Sequence, residues 1–208
     1  MKIAFISRAT LYSSPGGDTK QIELTAKYLR DLGIGVDIFL ANSVIDYIGY
    51  DLLHFFNIIR PADIIYHIQK SGKPYVVSTI FLDYGGYEKT ARSGMMRLMN
   101  KIFSEDAIEY IKAIARFVKN GEKIVSKKYY FLGHKKSVKY VADNASILLP
   151  NSENEYRRFV KKYGGAYKYH VIPNGIDASV ANKVKDKADD YKNTVLCVAR
   201  IEGRKNQL

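Results

Sequence analysis

The chain has 208 residues, of which 47% are apolar and 26% charged, and its formal net charge is +12. This composition is typical of a globular protein and excludes disordered, collagen-like and low-complexity chains. No apolar run reaches the roughly 18 residues of a membrane-spanning helix, so we expect none. The N-terminal apolar run is too short for a signal peptide, and the single cysteine, Cys197, excludes an internal disulfide. We therefore expect a cytoplasmic protein.

The positive charge is concentrated in one part of the sequence. Thirteen basic and five acidic side chains lie in residues 87–140, so about two thirds of the excess falls in a quarter of the chain. This concentration of positive charge favours a polyanionic partner, such as nucleic acid, an anionic membrane surface or a phosphorylated substrate. A lysine-rich face that only meets solvent is the alternative.

Short apolar runs alternate with helical patterns, each bounded by Gly, Pro or Asn. Strands are predicted at residues 2–7, 36–41, 51–57, 74–81, 145–149 and 169–172. Helices are predicted from Asp18 or Thr19 to Leu32, and at 61–70, 136–143 and 153–163, with a long helical stretch at 89–121. This alternation predicts an α/β fold, a Rossmann-like parallel sheet with helices on both faces.

The sequence changes character after residue 177. Residues 178–192 are polar and charged, as in a linker, and residues 193–199 form a new buried-strand pattern. A buried parallel strand needs neighbours. We therefore expect an N-terminal domain at 1–177, a crossover at 178–192, and at 193–208 the first strand of a second domain in a longer protein.

Candidate site residues lie where predicted strands end. Gly16 and Gly17 follow the first strand, at the sheet edge where ligands of open parallel sheets bind, and glycines there let a phosphate or sugar approach a helix N-terminus. Arg8 shares this edge and is expected to pair with an anion or with Asp83, which follows the fourth strand. A turn aspartate is the plainer interpretation of Asp83. No metal-ligand spacing or dinucleotide fingerprint is present, so we expect neither a metal nor a cofactor.

Arg200 and Lys205 follow the strand at 193–199 directly. An Arg and a Lys on the two sides of such a turn suit a diphosphate, because the guanidinium forms forked hydrogen bonds and the ammonium acts as a point charge. The alternative is an ordinary basic loop.

Three motifs together carry a resemblance. The glycine pair after the first strand, V-I-P-N-G-I-D at 171–177 and V-A-R-I-E-G-R-K-N-Q at 198–207 resemble the retaining glycosyltransferases of family 4. The resemblance implies the GT-B fold, two Rossmann-like domains facing each other across a cleft. It implies that Gly16, Gly17, Arg200 and Lys205 hold the donor diphosphate, and that Asn174 lies by the acceptor cleft with Arg8.

The resemblance also has departures. Many family members have a histidine after the fourth strand, where this chain offers Asp83 as a catalytic residue on the acceptor side. The family's glutamates that contact the donor belong to the second domain, beyond Leu208, so we expect these 208 residues alone to be inactive.

The function that the resemblance implies is transfer of a sugar, with retention, from a nucleotide-sugar donor to a glycan or lipid-linked acceptor. Cell-surface polysaccharide synthesis is the expected setting, as a hexosyltransferase at the inner face of the cell membrane, with an anionic membrane surface as a further partner and no nucleic acid. The alternatives are a sugar-nucleotide epimerase of the same fold and a basic, non-catalytic module that binds nucleic acid or membrane.

Overall fold

The computed structural model describes residues 1–82 and 126–175, together with the single positions 107 and 111. Its centre is a sheet of five parallel strands in the order β2-β1-β3-β4-β5, with helices packed on both faces. The predicted α/β fold with a Rossmann-like parallel sheet is therefore confirmed. The helical stretch predicted at 89–121 and the second-domain strand at 193–199 lie outside the described residues.

The elements follow the predicted alternation closely. The strands are β1 (Lys2–Ser7), β2 (Gly35–Leu40), β3 (Leu52–Phe56), β4 (Tyr75–Ser78) and β5 (Ile147–Leu149). The helices are α1 (Gly17–Asp31), α2 (Pro61–Ser71), α3 (Lys127–Asn144) and α4 (Glu153–Tyr163). The bounds of β1 and α4 are those predicted from the sequence.

The sheet separates two apolar cores, because successive side chains of a strand point to opposite faces. On one face, Ile3 and Phe5 of β1 pack against α1 through Ile22 and Ala26. On the other face, α2, α3 and α4 cover a larger core. Its buried members from these helices are Ile64, Ile65, Val138, Val141, Ala142, Phe159 and Tyr163. Burial on both faces explains why the strands appear in the sequence as nearly continuous apolar runs.

Local backbone signals account for the helix ends. Pro61 is the first residue of α2, where its missing N–H costs nothing, and Gly72 ends the helix in the left-handed conformation (φ 61°). Ser152 caps α4 by accepting a hydrogen bond from the Glu155 N–H at 3.2 Å. Glutamates in the first turn and lysines in the last turn of α4 complement the helix dipole.

Three predicted elements differ from the structure by more than two residues at an end. The strand predicted at 74–81 is shorter because Ile80 turns into a left-handed conformation (φ 43°). The helix predicted at 136–143 begins nine residues earlier and bends at Gly133, which has non-helical dihedrals. The strand predicted at 169–172 is an isolated bridge between Tyr169 and Leu148. It still runs parallel to β5, since the Ile172 N–H donates to the Pro150 carbonyl at 2.9 Å.

A buried histidine joins α2 to the segment that follows β2. The Nε2 of His67 lies 3.0 Å from the Ala41 carbonyl oxygen, and its Nδ1 lies 2.6 Å from the Tyr47 hydroxyl. A carbonyl only accepts, so Nε2 carries the proton and Nδ1 accepts from Tyr47. Burial lowers the pKa of His67 to about 4, against a smaller opposing effect of the Ala41 hydrogen bond, and raises the pKa of Tyr47 to about 12. The ring is therefore neutral in the folded protein at neutral pH.

We predict that His67 makes folding stability depend on pH between about 6.5 and 4. The unfolded chain protonates His67 below about pH 6.5, whereas the folded chain does so only near pH 4, so acid favours unfolding in this window. The free energy of unfolding therefore keeps its full value above pH 6.5 and falls by about 3 kcal/mol as the pH is lowered towards 4. Urea unfolding of wild type and His67→Gln at about pH 6.5 and pH 4 measures this loss of stability.

The matched control is His170→Gln, because His170 is exposed. It should keep the wild-type pH dependence. Equal pH dependence in wild type and His67→Gln would contradict the prediction.

Candidate functional site

The topology places a crevice at the carboxyl edge of the sheet, between β1 and β3. The chain leaves β1 towards β2 on one side, while β3 and β4 lie on the other side, so the strand order reverses next to β1. In open parallel sheets, ligands bind outside the carboxyl ends of the strands at such a switch point. Two segments flank it: the β1 loop (residues 8–16) and the turn that begins at Asn57.

The β1 loop is organised by the guanidinium of Arg8. Its Nε and Nη2 donate to the two carboxylate oxygens of Asp18, at 2.6 and 3.1 Å. Nη1 donates to the carbonyl and hydroxyl of Thr10 at 2.7 and 2.9 Å, and Nη2 donates to the Ser14 carbonyl at 2.8 Å. These five hydrogen bonds match the five N–H groups of the side chain. Within the described residues these bonds use the hydrogen-bonding capacity of the Arg8 side chain. Asp83 lies outside the described residues, so its pairing with Arg8 stays a prediction.

Asp18 keeps its negative charge beside this guanidinium. Burial alone would raise the pKa of Asp18, but the hydrogen bonds and charge of Arg8, with backbone N–H groups, bring it below its ordinary value. The pair neutralises itself and is mostly shielded from water, with side-chain exposures of 13% and 17%. The β1 loop therefore presents little net charge to a ligand from these two residues.

Gly16 and Gly17 have different surroundings. A Cβ on Gly16 would lie 2.9 Å from the Asp18 Oδ1, closer than side chains tolerate, whereas a Cβ on Gly17 would meet nothing within 4 Å. Gly16 is the N-cap of α1, and its N–H donates to the Thr19 hydroxyl at 3.0 Å. The predicted caps, Asp18 and Thr19, were wrong because both lie inside the first turn. Gly16 thus makes room for the ion pair, and Gly17 leaves open space at the helix start.

Two strained residues mark the ends of the neighbouring strands. Among the described residues other than glycine, only Asn57 (φ 73°) and Ile80 (φ 43°) have positive φ, just after β3 and β4. Backbone strain of this kind concentrates at functional sites. The Asn57 Oδ1 is also buried and accepts no hydrogen bond within the described structure. Sequence reasoning missed Asn57, although Asn is the non-glycine residue that most readily adopts this conformation.

A buried carboxylate fixes the other half of this edge. Glu155 Oε1 accepts from the Thr79 hydroxyl and from the Phe81 N–H, the latter at 2.8 Å, and Oε2 accepts from the Asn151 N–H at 2.9 Å. It therefore joins the ends of β4 and β5 to the start of α4. The side chain of Gln21 adds a tie from α1 by donating to Asn151 Oδ1 at 2.9 Å.

The structure brings only some predicted site residues together. Arg8, Gly16 and Gly17 share the β1 loop and the start of α1. Asn174 is exposed at the end of the segment that runs beside β5. The remaining predicted site residues, Asp83, Arg200 and Lys205, lie outside the described residues.

Neither a metal centre nor a membrane-spanning helix has a candidate in the part of the chain that the structure describes. There, no three His, Cys, Asp or Glu side chains are grouped so that they can hold a metal ion. Within residues 1–82 and 126–175, none of the helices has both the length and the apolar character that crossing a bilayer requires.

The chain has the fold of a GT-B-type half-domain, a parallel α/β sheet with its candidate site at the carboxyl edge. It is similar to sucrose-phosphate synthase from Thermosynechococcus elongatus, with a TM-score of 0.54 and 15% identity over 86% of this chain. HepE from Anabaena, solved in complex with UDP, matches with a TM-score of 0.46 and 15% identity, also over 86% of this chain. This chain spans about half of each, 49% and 46% respectively.

Comparison of the sequence gives no match. No protein-family model matches the chain, and no curated protein does. At 15% identity the structural likeness shows the fold alone. The GT-B-type half-domain that the resemblance implied is thus confirmed, while the two-domain arrangement and membership of glycosyltransferase family 4 stay predictions.

We predict different effects on stability for two adjacent glycine substitutions. Gly16→Ala should lower the free energy of unfolding by about 1–2 kcal/mol, because the new methyl displaces the Asp18 carboxylate from Arg8 and alanine is a poor N-cap. Gly17→Ala has open space and should be neutral or stabilising by up to about 1 kcal/mol. Urea unfolding of both variants measures the difference, and equal midpoints would show that the ion pair does not need Gly16.

Proposed function

We propose that this chain is the acceptor-side part of a glycosyltransferase that moves a sugar from a nucleotide-sugar donor to a glycan or lipid-linked acceptor. The main supporting observation is the β1 loop with its glycine pair, at the switch point of a sheet with the GT-B-type fold. Gly17 leaves room for a sugar or phosphate to approach the N-terminus of α1. The UDP bound to HepE belongs to that protein, and a nucleotide-sugar donor for this chain is part of the proposal.

The proposed chemistry divides between two sides of a cleft. Arg200 and Lys205 hold the donor diphosphate and stabilise the charge that develops on it as the sugar leaves. Asp83 serves the acceptor side. The sugar is transferred with retention at the anomeric carbon, as in the family that the sequence resembles.

The test assays the chain, together with any coding sequence that continues after Leu208, on a panel of UDP-, GDP- and ADP-sugars with glycan and lipid-linked acceptors. Glycosylated product is the expected result. Arg200→Ala or Lys205→Ala should each lower kcat by about 10²–10³-fold, the loss typical of one preorganised charge donor.

Arg157→Ala is the matched control, since Arg157 lies on the exposed side of α4, with a side chain 73% exposed. It should retain full turnover. Conversion of the donor to an epimer without acceptor would favour the sugar-nucleotide epimerase instead, and absence of nucleotide-sugar binding would reject both enzymes.

We further propose that the start of α3 contacts an anionic membrane surface, as expected for a protein at the inner face of the cell membrane. Phe131 is 90% exposed, and Lys135 and Lys136 are exposed on the next turn. An apolar ring beside lysines suits insertion among lipid headgroups. Tyr129, two residues before Phe131, is fully buried and so takes no part in this surface.

Vesicle flotation tests the membrane proposal. The chain should float with anionic vesicles and should not float with neutral ones. Salt should release it, because each basic residue near the membrane surface contributes about 1 kcal/mol of electrostatic binding energy. Replacing Lys127, Lys128, Lys135 and Lys136 by Glu should abolish flotation. The control is charge reversal at two exposed lysines elsewhere, Lys161 in α4 and Lys168 after it. Equal recovery with both vesicle types would reject the proposal.

A further inference from the structure

The turn that follows β4 (residues 79–81, the post-β4 turn) is strained. Ile80 has a left-handed backbone (φ 43°), which a β-branched side chain disfavours. The turn lies at the carboxyl end of β4, on the edge where ligands of open parallel sheets bind. The Ile80 side chain packs against the α1-side core, while the buried ring of Phe81 lies 5.7 Å from that of Phe159. Such strain persists only where the surrounding structure holds it.

One carboxylate holds the post-β4 turn from both sides of the strained residue. Glu155 Oε1 accepts hydrogen bonds from the Thr79 hydroxyl and from the Phe81 N–H, the residues immediately before and after Ile80. Glu155 is buried, and hydrogen bonds to a carboxylate are about twice as strong as those between neutral groups. Glu155 therefore supplies the interactions that keep the strained turn in place.

Helix capping alone does not explain these contacts. Ser152 caps α4 by accepting from the Glu155 N–H. A glutamate at this position of a helix normally reaches back to the backbone N–H of the cap residue. Here the Glu155 carboxylate bonds instead to the N–H of Asn151, one residue further back, and to the post-β4 turn. The side chain is thus directed to the carboxyl edge of the sheet rather than to its own helix end.

The same carboxylate reaches the start of α1 through one intermediate residue. Glu155 Oε2 accepts from the Asn151 N–H at 2.9 Å, and the Asn151 side chain accepts from Gln21 at 2.9 Å. Gln21 lies about one helical turn after Gly17 in α1. A continuous chain of hydrogen bonds therefore links the post-β4 turn to the helix start that carries the glycine pair.

We propose that Glu155 is a positioning residue for the sugar transfer, an assignment that rests on the proposed function. Its carboxylate fixes the relative positions of the post-β4 turn and the start of α1, the two segments between which donor and acceptor meet. A displacement of about 1 Å between reacting groups can cost about 10²-fold in rate. Glu155 therefore controls turnover although it is buried and acts only through the residues that it binds.

Glu155→Gln tests the proposal with little change of shape. An amide nitrogen donates and cannot accept, so the variant loses either the bond from Asn151 or those from the post-β4 turn. In the active enzyme, kcat should fall by about 10–100-fold. The donor and acceptor KM should stay nearly unchanged, because no ground-state contact with a substrate is removed. An unchanged kcat, or a rise in KM alone, would overturn the positioning role.

The matched control is Ser152→Ala, which removes the cap of the same helix turn. It should lower the melting midpoint by about 2–4 °C, the usual effect of losing a helix cap in a chain of this size, and it should keep the wild-type kcat. An equal loss of kcat in Ser152→Ala and Glu155→Gln would assign Glu155 to the stability of α4.

Gln21→Ala breaks the chain of hydrogen bonds at its other end. It should also lower kcat, and the double variant with Glu155→Gln should lose less than the product of the two single losses, because both side chains act on one network. Losses that simply multiply would show that the two segments are positioned independently and would contradict the proposal.

Amide chemical shifts of the full chain give a readout that needs no turnover. Glu155→Gln should move the amide resonances of Gly16 and Gly17 as well as that of Phe81, whereas Ser152→Ala should leave both glycines in place. Shifts confined to the post-β4 turn would overturn the positioning role and keep the proposed function. Shifts at the glycines, in a protein that transfers no sugar, would reject the proposed function and keep the link between the two segments.

Discussion

The hydrogen bonds of the Arg8 guanidinium fix the part of the molecule on which the candidate site depends. One side chain at the end of β1 orders the whole β1 loop by binding Asp18, Thr10 and Ser14. Arginine suits this task because its planar group presents five donors in fixed directions, which a lysine ammonium does not. The steric requirement at Gly16 and the start of α1 both follow from this network.

Glu155 performs the corresponding task on the other side of the crevice. Its carboxylate accepts hydrogen bonds from the ends of β4 and β5 and lies on the first turn of α4. A buried carboxylate is costly unless its oxygens are hydrogen-bonded, and here both oxygens have donors. The Gln21 bond to Asn151 then joins the two halves of the edge. The carboxyl edge is therefore held by side-chain hydrogen bonds, whereas the sheet below it is held by backbone ladders and two apolar cores.

The outer strand β2 shows how the fold limits unwanted pairing. Strand edges expose backbone groups that can recruit another chain. The guanidinium of Arg30 donates twice to the Val36 carbonyl, at 2.9 and 2.6 Å, and the Ser43 N–H donates to the Leu40 carbonyl at 2.9 Å. Carbonyl groups near both ends of β2 are thus engaged inside the chain.

The sequence by itself determined the parallel α/β class and most element positions. Buried strands such as Lys2–Ser7 need continuous apolar runs, and helix ends need residues such as Pro61, Gly72 and Ser152. A short stretch of sequence is therefore enough to predict these features. The sequence also placed Gly16 and Gly17 at a ligand edge, because the turn that follows a parallel strand lies at its carboxyl end, where ligands of open sheets bind. Roles for Asp83, Arg200 and Lys205 came from motif resemblance and stay predictions.

Only the tertiary structure decided which side chains bind one another. Arg8 pairs with Asp18, which lies ten residues away at the start of α1. The partners of Glu155 are Thr79 and Phe81, more than 70 residues away just after β4, and Asn151, four residues before it. Such pairings depend on how distant segments are brought together, which no local pattern encodes. The same holds for Asn57: strain arises from packing around a residue, so a sequence shows the residue type but not its state.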